Sequence, residues 1–398
     1  MLTCKRSNAI NILFIESGYG MGGSSTFLFY FLKYLDRKKF TPFVLFYFKA
    51  QGPDVEKIKS LEIEVYSLDL IPPTELKSFY FPFLKKFTTS AIYDLWFSLI
   101  KAFSVVKIIK RKNIKILIFN NDLNYHLIGL LAAKISHIPC ICRKAGVGGG
   151  KKIKRVFGRF VDKYVAISDA AIKDYLADGL PKEKLLKIYE GVDLEIFDPS
   201  KYNGSKIKKE FRLENKKIIT SISRLTPSKG QMEIIKAASI VTKKHPNVIF
   251  LIVGEDVDTA GSFRKKLEKE VEKLGIKENV IFTGWRKDIP EILAATDIFV
   301  HYPSGKEALS IANLEAMAME KPTIVSNNEG LAEAVIDGET GFIVPLGDIN
   351  ALANAILKLI EDKNLSTTMG KNARKRVEEL FDIKKNVKVF ENVIISLV

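Results

Sequence analysis

Residues 218–253 read IITSISRLTPSKGQMEIIKAASIVTKKHPNVIFLIV and contain a complete strand–helix–strand unit. The apolar, β-branched runs at 218–223 and 248–253 predict buried strands. Residues 231–243, which lie between these runs, repeat apolar side chains at helical spacing. Because a helix that connects two strands usually places them in parallel, this stretch predicts a parallel sheet covered by helices.

The same alternation continues along the rest of the chain. Strands are predicted at 10–16, 43–48, 63–68, 114–119, 139–142 and 163–167, and then at 218–223, 248–253, 280–282, 298–301 and 323–325. Helices are predicted at 24–35, 231–243, 263–274, 289–295, 309–319 and 332–336. Residues 199–215 are polar and lysine-rich without apolar periodicity, which indicates a linker. The pattern predicts an α/β protein with two doubly wound, Rossmann-like domains that face each other across a cleft.

Length and composition agree with two domains. The chain has 398 residues, more than the roughly 250–300 that one hydrophobic core supports, so we expect domains at 1–200 and 201–375. Its three cysteines, Cys4, Cys140 and Cys142, form no disulfide framework, which indicates a reducing compartment. Cys140 and Cys142 lack the spacing of a zinc knuckle and lie in a predicted buried strand, which indicates packing roles rather than a metal site. The sequence has no secretory signal and no uncharged apolar run of about 18 residues, so we expect no membrane-spanning helix.

Positive charge is concentrated in the N-terminal half. The net charge is +16, and residues 1–200 hold 31 Lys and Arg against 19 Asp and Glu. Residues 79–112 interleave aromatic side chains, such as Trp96 and Phe103, with cations such as Lys107 and Arg111. This composition is typical of a membrane interface, and the alternative is a buried amphipathic helix. A basic field suits anionic lipid, nucleic acid or an acidic substrate, and the alternative is a lysine-rich background composition. Together with the basic run at 151–163, the aromatic segment favours contact with an anionic membrane surface, and we expect no nucleic-acid partner.

A glycine-rich turn follows the first predicted strand. Residues 18–23, GYGMGG, match the G-x-G-x-x-G pattern and precede a predicted helix. The second strand runs into Lys49 rather than into an acidic residue that could hold a ribose, which disfavours a dinucleotide site. Glycines such as Gly22 and Gly23 still allow an anion to approach the helix N-terminus, and the alternative is a tight strand-to-helix turn.

Two cations follow the first strand of the second domain. Residues 223–230 read SRLTPSKG, so that Arg224 leaves the strand and Lys229 precedes the next helix. Both are expected to point into the crevice at the carboxyl ends of the strands. An arginine can hold a phosphate through two hydrogen bonds and a lysine supplies a point charge, which favours a phosphate site over two solvated surface cations.

Two carboxylates flank a predicted helix N-terminus in residues 307–315, EALSIANLE. Glu307 lies in a loop and can accept hydrogen bonds from sugar hydroxyls, whereas Glu315 lies inside the helix and can accept them from a ribose. The free N–H groups around residues 310–312 suit a phosphate. With the two cations, this arrangement suits transfer of a sugar from a diphosphate, because negative charge then grows on the leaving phosphate.

The sequence resembles the retaining glycosyltransferases of family 4, which have the two-domain glycosyltransferase-B fold. Besides the segments above, the resemblance rests on DKYVAIS at 162–168, GVD at 191–193 with Phe197 and Pro199, Val253-Gly254, FTG at 282–284, EAMA at 315–318, Lys321-Pro322, GETG at 338–341 and Val344-Pro345. It covers most of the chain, and the C-terminal motifs are specific in combination.

The resemblance implies a role for each matching residue. Glu307, Arg224 and Lys229 are the expected catalytic residues: the two cations would hold the donor diphosphate and Glu307 would contact the donor sugar. The other expected donor-binding residues are Gly22, Gly23, Gly254, Trp285, Arg286, Ser310, Ile311, Ala312 and Glu315. Among them, residues 310–312 would offer backbone N–H groups, 285 and 286 would lie near the nucleobase, and 315 near the ribose. The family also implies that no metal or other cofactor is needed, because the protein's cations stabilise the negative charge of the diphosphate instead. Residues 376–398 would cross back to the N-terminal domain as a helix.

Three positions depart from the family pattern. Ser310 stands where many members have glycine, Glu190 where many have asparagine, and Ala145 where a histidine is common. The missing histidine leaves open how the N-terminal, acceptor-binding domain contributes. The expected acceptor-side residues are His126, Arg143 and Lys144.

The leading hypothesis is a retaining glycosyltransferase that uses a nucleoside-diphosphate sugar. Its expected acceptor is a membrane-bound or polymeric glycan, as in the synthesis of lipopolysaccharide or another surface polysaccharide, and its expected place is the cytoplasmic face of the cell membrane. The alternatives are a non-catalytic scaffold that binds the sugar nucleotide and an epimerase of the same fold, which would need no acceptor.

Overall fold

The computed structural model describes residues 9–17, 23–70, 90–148, 156–256 and 261–398. They belong to two compact units, one formed by Met1–Tyr189 with Lys384–Val398 and the other by Glu190–Ile383. Each unit contains one parallel sheet, of seven and six strands, which confirms the predicted α/β class with two doubly wound domains. The units meet in sequence at Tyr189, upstream of the boundary predicted at residue 200.

The N-terminal sheet has the strand order β3-β2-β1-β4-β5-β6-β7. Its strands are β1 Ile10–Glu16, β2 Phe40–Phe46, β3 Glu64–Ser67, β4 Ile116–Phe119, β5 Cys140–Lys144, β6 Lys163–Ala166 and β7 Leu185–Lys187. The central strands read as continuous apolar runs because helices cover both faces of the sheet, and Ile12, Leu13 and Ile15 have no exposed surface. Cys140 and Cys142 are buried in β5, as their predicted packing role requires.

The C-terminal sheet has the order β10-β9-β8-β11-β12-β13. Its strands are β8 Lys217–Ile222, β9 Val248–Val253, β10 Val280–Gly284, β11 Ile298–His301, β12 Thr323–Ser326 and β13 Gly341–Val344. The strand order reverses between β8 and β11, which pair directly. Ligands of open parallel sheets bind outside the carboxyl ends of the strands at such a reversal, so the loops after β8 and β11 are where a site is expected.

Helices cover both sheets. In the N-terminal unit they are α1 Gly23–Tyr34, α2 Pro53–Lys59, α3 Ser90–Lys112, α4 Leu127–Ile135 and α5 Asp169–Ala177. In the C-terminal unit they are α6 Ser205–Phe211, α7 Gln231–Lys244, α8 Ser262–Lys273, α9 Ile289–Ala295, α10 Ile311–Ala318, α11 Glu329–Ala334, α12 Ile349–Glu361 and α13 Lys363–Leu380, and the last helix is α14 Ile383–Ile395. None of the helices in the described parts of the chain combines the length and the apolar character needed to cross a membrane.

The final helix packs within the N-terminal unit. The rings of Phe390 in α14 and Phe31 in α1 meet edge to face with centroids 5.0 Å apart, and Glu391 accepts a hydrogen bond of 2.7 Å from the backbone N–H of Asp36. The return to this unit begins at Lys384 rather than at residue 376, because α13 continues to Leu380 in the C-terminal unit.

Three sequence predictions need correction. The segment 199–215, predicted to be a linker, contains helix α6, whose Ile207 is fully buried. This short helix has only about one apolar side chain per turn, so the sequence shows no clear helical periodicity there. Strands β7 and β13 were missed. Both are short strands at a sheet edge, and β13 begins with Gly341, a residue that is rare in strands.

Candidate functional site

An ion pair joins the loops that follow β8 and β11. The Nζ of Lys229 lies 2.8 Å from each carboxylate oxygen of Glu307, and the two side chains are 19% and 17% exposed. The residues are far apart in the sequence and meet because β8 and β11 are neighbours in the sheet. The structure therefore brings together two of the three predicted catalytic residues at the reversal of strand order.

The backbones of these two loops are also bonded to each other. The carbonyl oxygen of Ser228 accepts hydrogen bonds from the N–H groups of Ser304, at 3.0 Å, and Gly305, at 3.2 Å. Gly230, with a φ of 76°, follows Lys229, and a Cβ added there would lie 1.7 Å from the carbonyl oxygen of Tyr302. Only glycine fits this backbone conformation and this close approach, so Gly230 fixes where Lys229 stands relative to the β11 loop.

Arg224, the third predicted catalytic residue, follows the same strand as Lys229. Its side chain is exposed and makes no ion pair with any residue that the structure describes. Its backbone is fixed, because the side-chain amide of the buried Gln231 donates hydrogen bonds of 2.8 Å to the carbonyl oxygen of Arg224 and to Oγ of Ser223. Gly254, at the end of β9, has a φ of 140°, and a Cβ there would lie 1.9 Å from the carbonyl oxygen of Ser223. The strand end is therefore rigid while the guanidinium faces solvent.

The N-terminus of α10 lies directly after the Glu307 loop. Ser310 caps the helix, and its Oγ accepts a hydrogen bond of 3.3 Å from the N–H of Asn313. The N–H groups of Ile311 and Ala312 stand at the open end of the helix, where an anion is favoured. Glu315 follows one turn further along and is 9% exposed. Ser310, which stands where many family members have glycine, thus serves as an N-cap.

The predicted nucleobase residues differ in their surroundings. The ring of Trp285 is 40% exposed, with the ammonium of Lys287 5.6 Å from its centroid. Arg286 is instead held by two carboxylates, at 2.9 Å from Glu210 and 2.7 Å from Asp288, and these hydrogen bonds raise the pKa of Arg286. Arg286 therefore connects the turn after β10 to α6, whereas the ring of Trp285 is open to solvent.

His126 lies directly before α4. It has no exposed surface, and its ring stacks on Phe119 at 5.2 Å and 9° and packs against Tyr47 at 5.5 Å. Burial lowers the pKa of His126 to about 3, so the imidazole is neutral at pH 7. The expectation that it touches an acceptor is corrected: His126 packs in the core of the N-terminal unit.

Arg143 and Lys144 are also buried, each 1% exposed, although both were predicted to face an acceptor. Arg143 donates hydrogen bonds of 3.1 Å to the backbone and side-chain oxygens of Asn120, and its guanidinium lies 3.6 Å above the ring of Phe27. Lys144 pairs with Asp174 and, at 3.2 Å, with Asp122. Both cations are therefore held by buried polar partners of the N-terminal unit.

Sequence reasoning missed Glu16, which lies at the end of β1 and is 5% exposed. Its carboxylate accepts hydrogen bonds of 2.5 Å from the side-chain amides of Asn120 and Asn121 and one of 2.9 Å from the N–H of Ser17. Burial lowers the pKa of Arg143 to about 9, and the charge of Glu16 opposes that shift. The sequence did offer a signal for Glu16, since it is an acidic residue at the end of an apolar strand and before a glycine-rich turn.

Two predicted features remain to be placed. Gly22 lies outside the described residues, as does most of the glycine-rich turn, whereas Gly23 begins α1. Within the parts of the chain that the structure describes, no group of three or more His, Cys, Asp or Glu side chains is arranged to hold a metal ion.

Comparison with protein families gives a match for each half of the chain. Residues 21–196 match the family model described as Glycosyltransferase Family 4, and residues 204–376 match the one described as Glycosyl transferases group 1. The two matches together span residues 21–376 except for 197–203.

Individual proteins are similar over much of the chain. The UDP-Gal:alpha-D-GlcNAc-diphosphoundecaprenol alpha-1,3-galactosyltransferase of Escherichia coli is 29% identical over 74% of this chain and 79% of its own length. The capsular polysaccharide biosynthesis glycosyltransferase CapM of Staphylococcus aureus is 31% identical over 54% of this chain and 57% of its own length.

Solved structures share the fold. Anabaena Alr3699/HepE in complex with UDP has a TM-score of 0.81 at 24% identity, over 98% of this chain and 100% of its own. A glycosyltransferase from Rickettsia africae has a TM-score of 0.83 at 22% identity, over 97% of this chain and 98% of its own.

Proposed function

The chain belongs to the glycosyltransferases with the glycosyltransferase-B fold, and we propose that it transfers a sugar from a nucleoside-diphosphate sugar to a hydroxyl of a glycan or glycolipid, with retention of the anomeric configuration. The observation that carries the proposal is the Lys229–Glu307 pair beside the N-terminus of α10. At the carboxyl ends of the strands, the cation and the helix N-terminus suit the phosphates of a sugar diphosphate, and the hydrogen-bond acceptor suits the sugar hydroxyls.

The proposed roles follow from the charges. Arg224, Lys229 and the N–H groups at the start of α10 bind the diphosphate and stabilise the negative charge that the leaving phosphate gains. Glu307 accepts hydrogen bonds from hydroxyls of the donor sugar, and Glu315 from the ribose. Because Lys229 is paired with Glu307 at 2.8 Å, a diphosphate that binds the ammonium also frees carboxylate oxygens for the sugar.

We propose that retention arises in one step, by attack on the face from which the phosphate leaves. The acceptor oxygen forms a bond to the anomeric carbon as the bond from that carbon to the phosphate oxygen breaks, and the electron pair leaves with the phosphate. The acceptor's proton passes to an oxygen of the same phosphate. The protein's part is to hold the reactants in place and to supply positive charge, and we propose that it needs no metal.

The relatives' names support the acceptor class. One acts on a diphosphoundecaprenol-linked sugar with UDP-Gal, and another belongs to capsular polysaccharide biosynthesis. We propose an acceptor of this kind, a membrane-linked or polymeric glycan reached at the cytoplasmic face of the membrane.

Donor binding and product analysis test the proposal. A nucleotide that binds only the folded protein stabilises it by about 2.7 kcal/mol at a hundredfold excess over its Kd, so thermal unfolding with UDP, GDP and ADP should show one preferred base. Transfer from the matching nucleotide sugar to a lipid-linked glycan should then give a product with the donor's anomeric configuration by NMR. An inverted product contradicts retention. Binding without turnover favours a scaffold, and donor conversion without acceptor favours an epimerase.

A membrane contact is supported by helix α3. Four exposed apolar side chains, which include Trp96 at 65% and Phe103 at 53% exposure, lie at spacings of three, four and seven residues on one face: Trp96, Leu99, Ile100 and Phe103. The opposite face packs into the core through Ala102 and Val105. Exposed cations follow at Lys107, Lys110 and Arg111. Residues 79–89 and 151–155 of the predicted surface lie outside the described residues.

Vesicle binding checks this contact. The protein should bind phosphatidylglycerol vesicles at low salt, bind phosphatidylcholine vesicles weakly, and lose binding at high salt because the cations are screened. Trp96→Ser should weaken binding about tenfold or more, because the ring no longer enters the headgroup zone. Val389→Ser, which changes an apolar residue of the same unit that is 50% exposed, should leave binding unchanged. Equal loss in both variants, or no binding at low salt, contradicts the contact.

A further inference from the structure

The loop that carries Glu307 has no regular secondary structure between β11 and α10. A carboxylate on such a loop is positioned only as well as the backbone beneath it is held. The first part of the loop is held by Ser228, whose carbonyl oxygen accepts from Ser304 and Gly305. Those bonds end two residues before Glu307, so a further contact must set the direction of its side chain.

The side chain of Asn328 provides that contact. Its Nδ2 donates a hydrogen bond of 2.6 Å to the carbonyl oxygen of Gly305, and its Oδ1 accepts one of 3.1 Å from the N–H of Glu307. The partners fix the orientation of the amide, since a rotated amide would place N–H against N–H and oxygen against oxygen. One side chain thus fixes the backbone on both sides of Lys306 and, with it, the direction in which Glu307 leaves the loop.

A close backbone approach holds the segment after Asn328 against the same loop. A Cβ at Gly330 would lie 2.0 Å from the carbonyl oxygen of Ala308 and 2.3 Å from that of Glu307. Ser326 also donates a hydrogen bond of 2.9 Å to the carbonyl oxygen of Pro303. The segment after β12 is therefore packed along the loop, so Asn328 has little freedom to release its two partners.

We infer that Asn328 is a positioning residue for sugar transfer. It holds Glu307 against Lys229 and thereby orients the Glu307 carboxylate that accepts hydrogen bonds from the donor sugar's hydroxyls. This inference rests on the proposed function, since it assigns the sugar contact to Glu307. Asn328 itself contacts the loop backbone, so its loss should affect recognition of the sugar and leave recognition of the diphosphate largely intact.

The test compares Asn328→Ala with Asn327→Ala. Asn327 is the matched control because it is the same residue type at the preceding position, is exposed, and makes no side-chain hydrogen bond with any described residue. Affinities for UDP and UDP-galactose, with GDP and GDP-mannose in parallel, are measured by calorimetry. In Asn328→Ala the preference for the nucleotide sugar over the nucleotide should fall about tenfold, kcat should fall about 10- to 100-fold, and UDP affinity should stay within about twofold. Asn327→Ala should match wild type.

Two further measurements keep the outcomes separate. Asn328→Asp preserves the side-chain volume but cannot donate to Gly305, so it should lose the same preference even if the alanine variant folds poorly. Crystal structures of the variants report the Lys229–Glu307 distance without any ligand. A distance that stays at 2.8 Å in both Asn328 variants, or an unchanged preference for the nucleotide sugar, overturns the inference. If wild type binds no nucleotide, the proposed function fails, while a separated pair in the Asn328 variants still supports the positioning role.

Discussion

Lys229→Ala is expected to lower the rate of sugar transfer by about 100- to 1,000-fold, because it removes a positive charge aimed at the leaving phosphate. The fold should survive with lowered stability, since the pair with Glu307 is only 19% and 17% exposed and the substitution leaves a largely buried carboxylate without its cation. Steady-state transfer rates and thermal unfolding of the same preparation measure the two effects. Near-normal turnover in the variant contradicts the assigned site.

Lys243→Ala is the matched control. Lys243 is an exposed lysine near the opposite end of α7, roughly 20 Å along the helix from Lys229, and its loss should not change turnover. Glu307→Ala should lower turnover in the same range as Lys229→Ala. Because the two side chains are in contact, the double variant should lose much less than the product of the single losses. Multiplicative losses would show that the two residues act independently.

The shared location of Lys229 and Glu307, though not their ion pair, could be predicted from the sequence because parallel topology is simple. The strands of a parallel sheet all end on the same side of the sheet. Residues that follow two neighbouring strands are therefore expected to be close even when they are far apart in sequence. The central strands themselves were predictable to within a few residues, since continuous apolar runs such as β9 have no competing interpretation. The edge strands carry no such signal.

The partners of individual polar side chains could not be predicted. The ion pair of Arg286 with Glu210 was not predicted, because Glu210 lies on α6, a helix that the sequence presented as a linker. His126 follows several polar residues, and its burial depends on Phe119 and Tyr47, which reach it only in the folded unit. Asn328 has no pattern at all, because its role depends on the position of one loop backbone.

Gly230→Ala is expected to lower both stability and turnover, and the cause can be separated from backbone strain. Two glycines, Gly230 and Gly261, stand at the N-caps of α7 and α8 with left-handed backbones, at φ of 76° and 62°. Alanine at either position incurs the strain of that conformation, roughly 1–2 kcal/mol. At Gly261 the added methyl group meets no atom of the described residues within 4 Å, whereas at Gly230 it would lie 1.7 Å from the carbonyl oxygen of Tyr302.

The difference between the two variants therefore measures the close approach alone. A backbone carbonyl cannot rotate away as a side chain can, so Gly230→Ala should be less stable than Gly261→Ala by at least about 2 kcal/mol. Each kcal/mol lowers Tm by about 2–4 °C in a domain of this size, which calorimetry resolves. Because relief of the clash must move the Tyr302 backbone, and with it the loop to Glu307, transfer should be lost in Gly230→Ala and retained in Gly261→Ala. Equal Tm shifts and equal activities would mean that the two loops are not held together at Gly230, and the alignment of Lys229 with Glu307 would then need another cause.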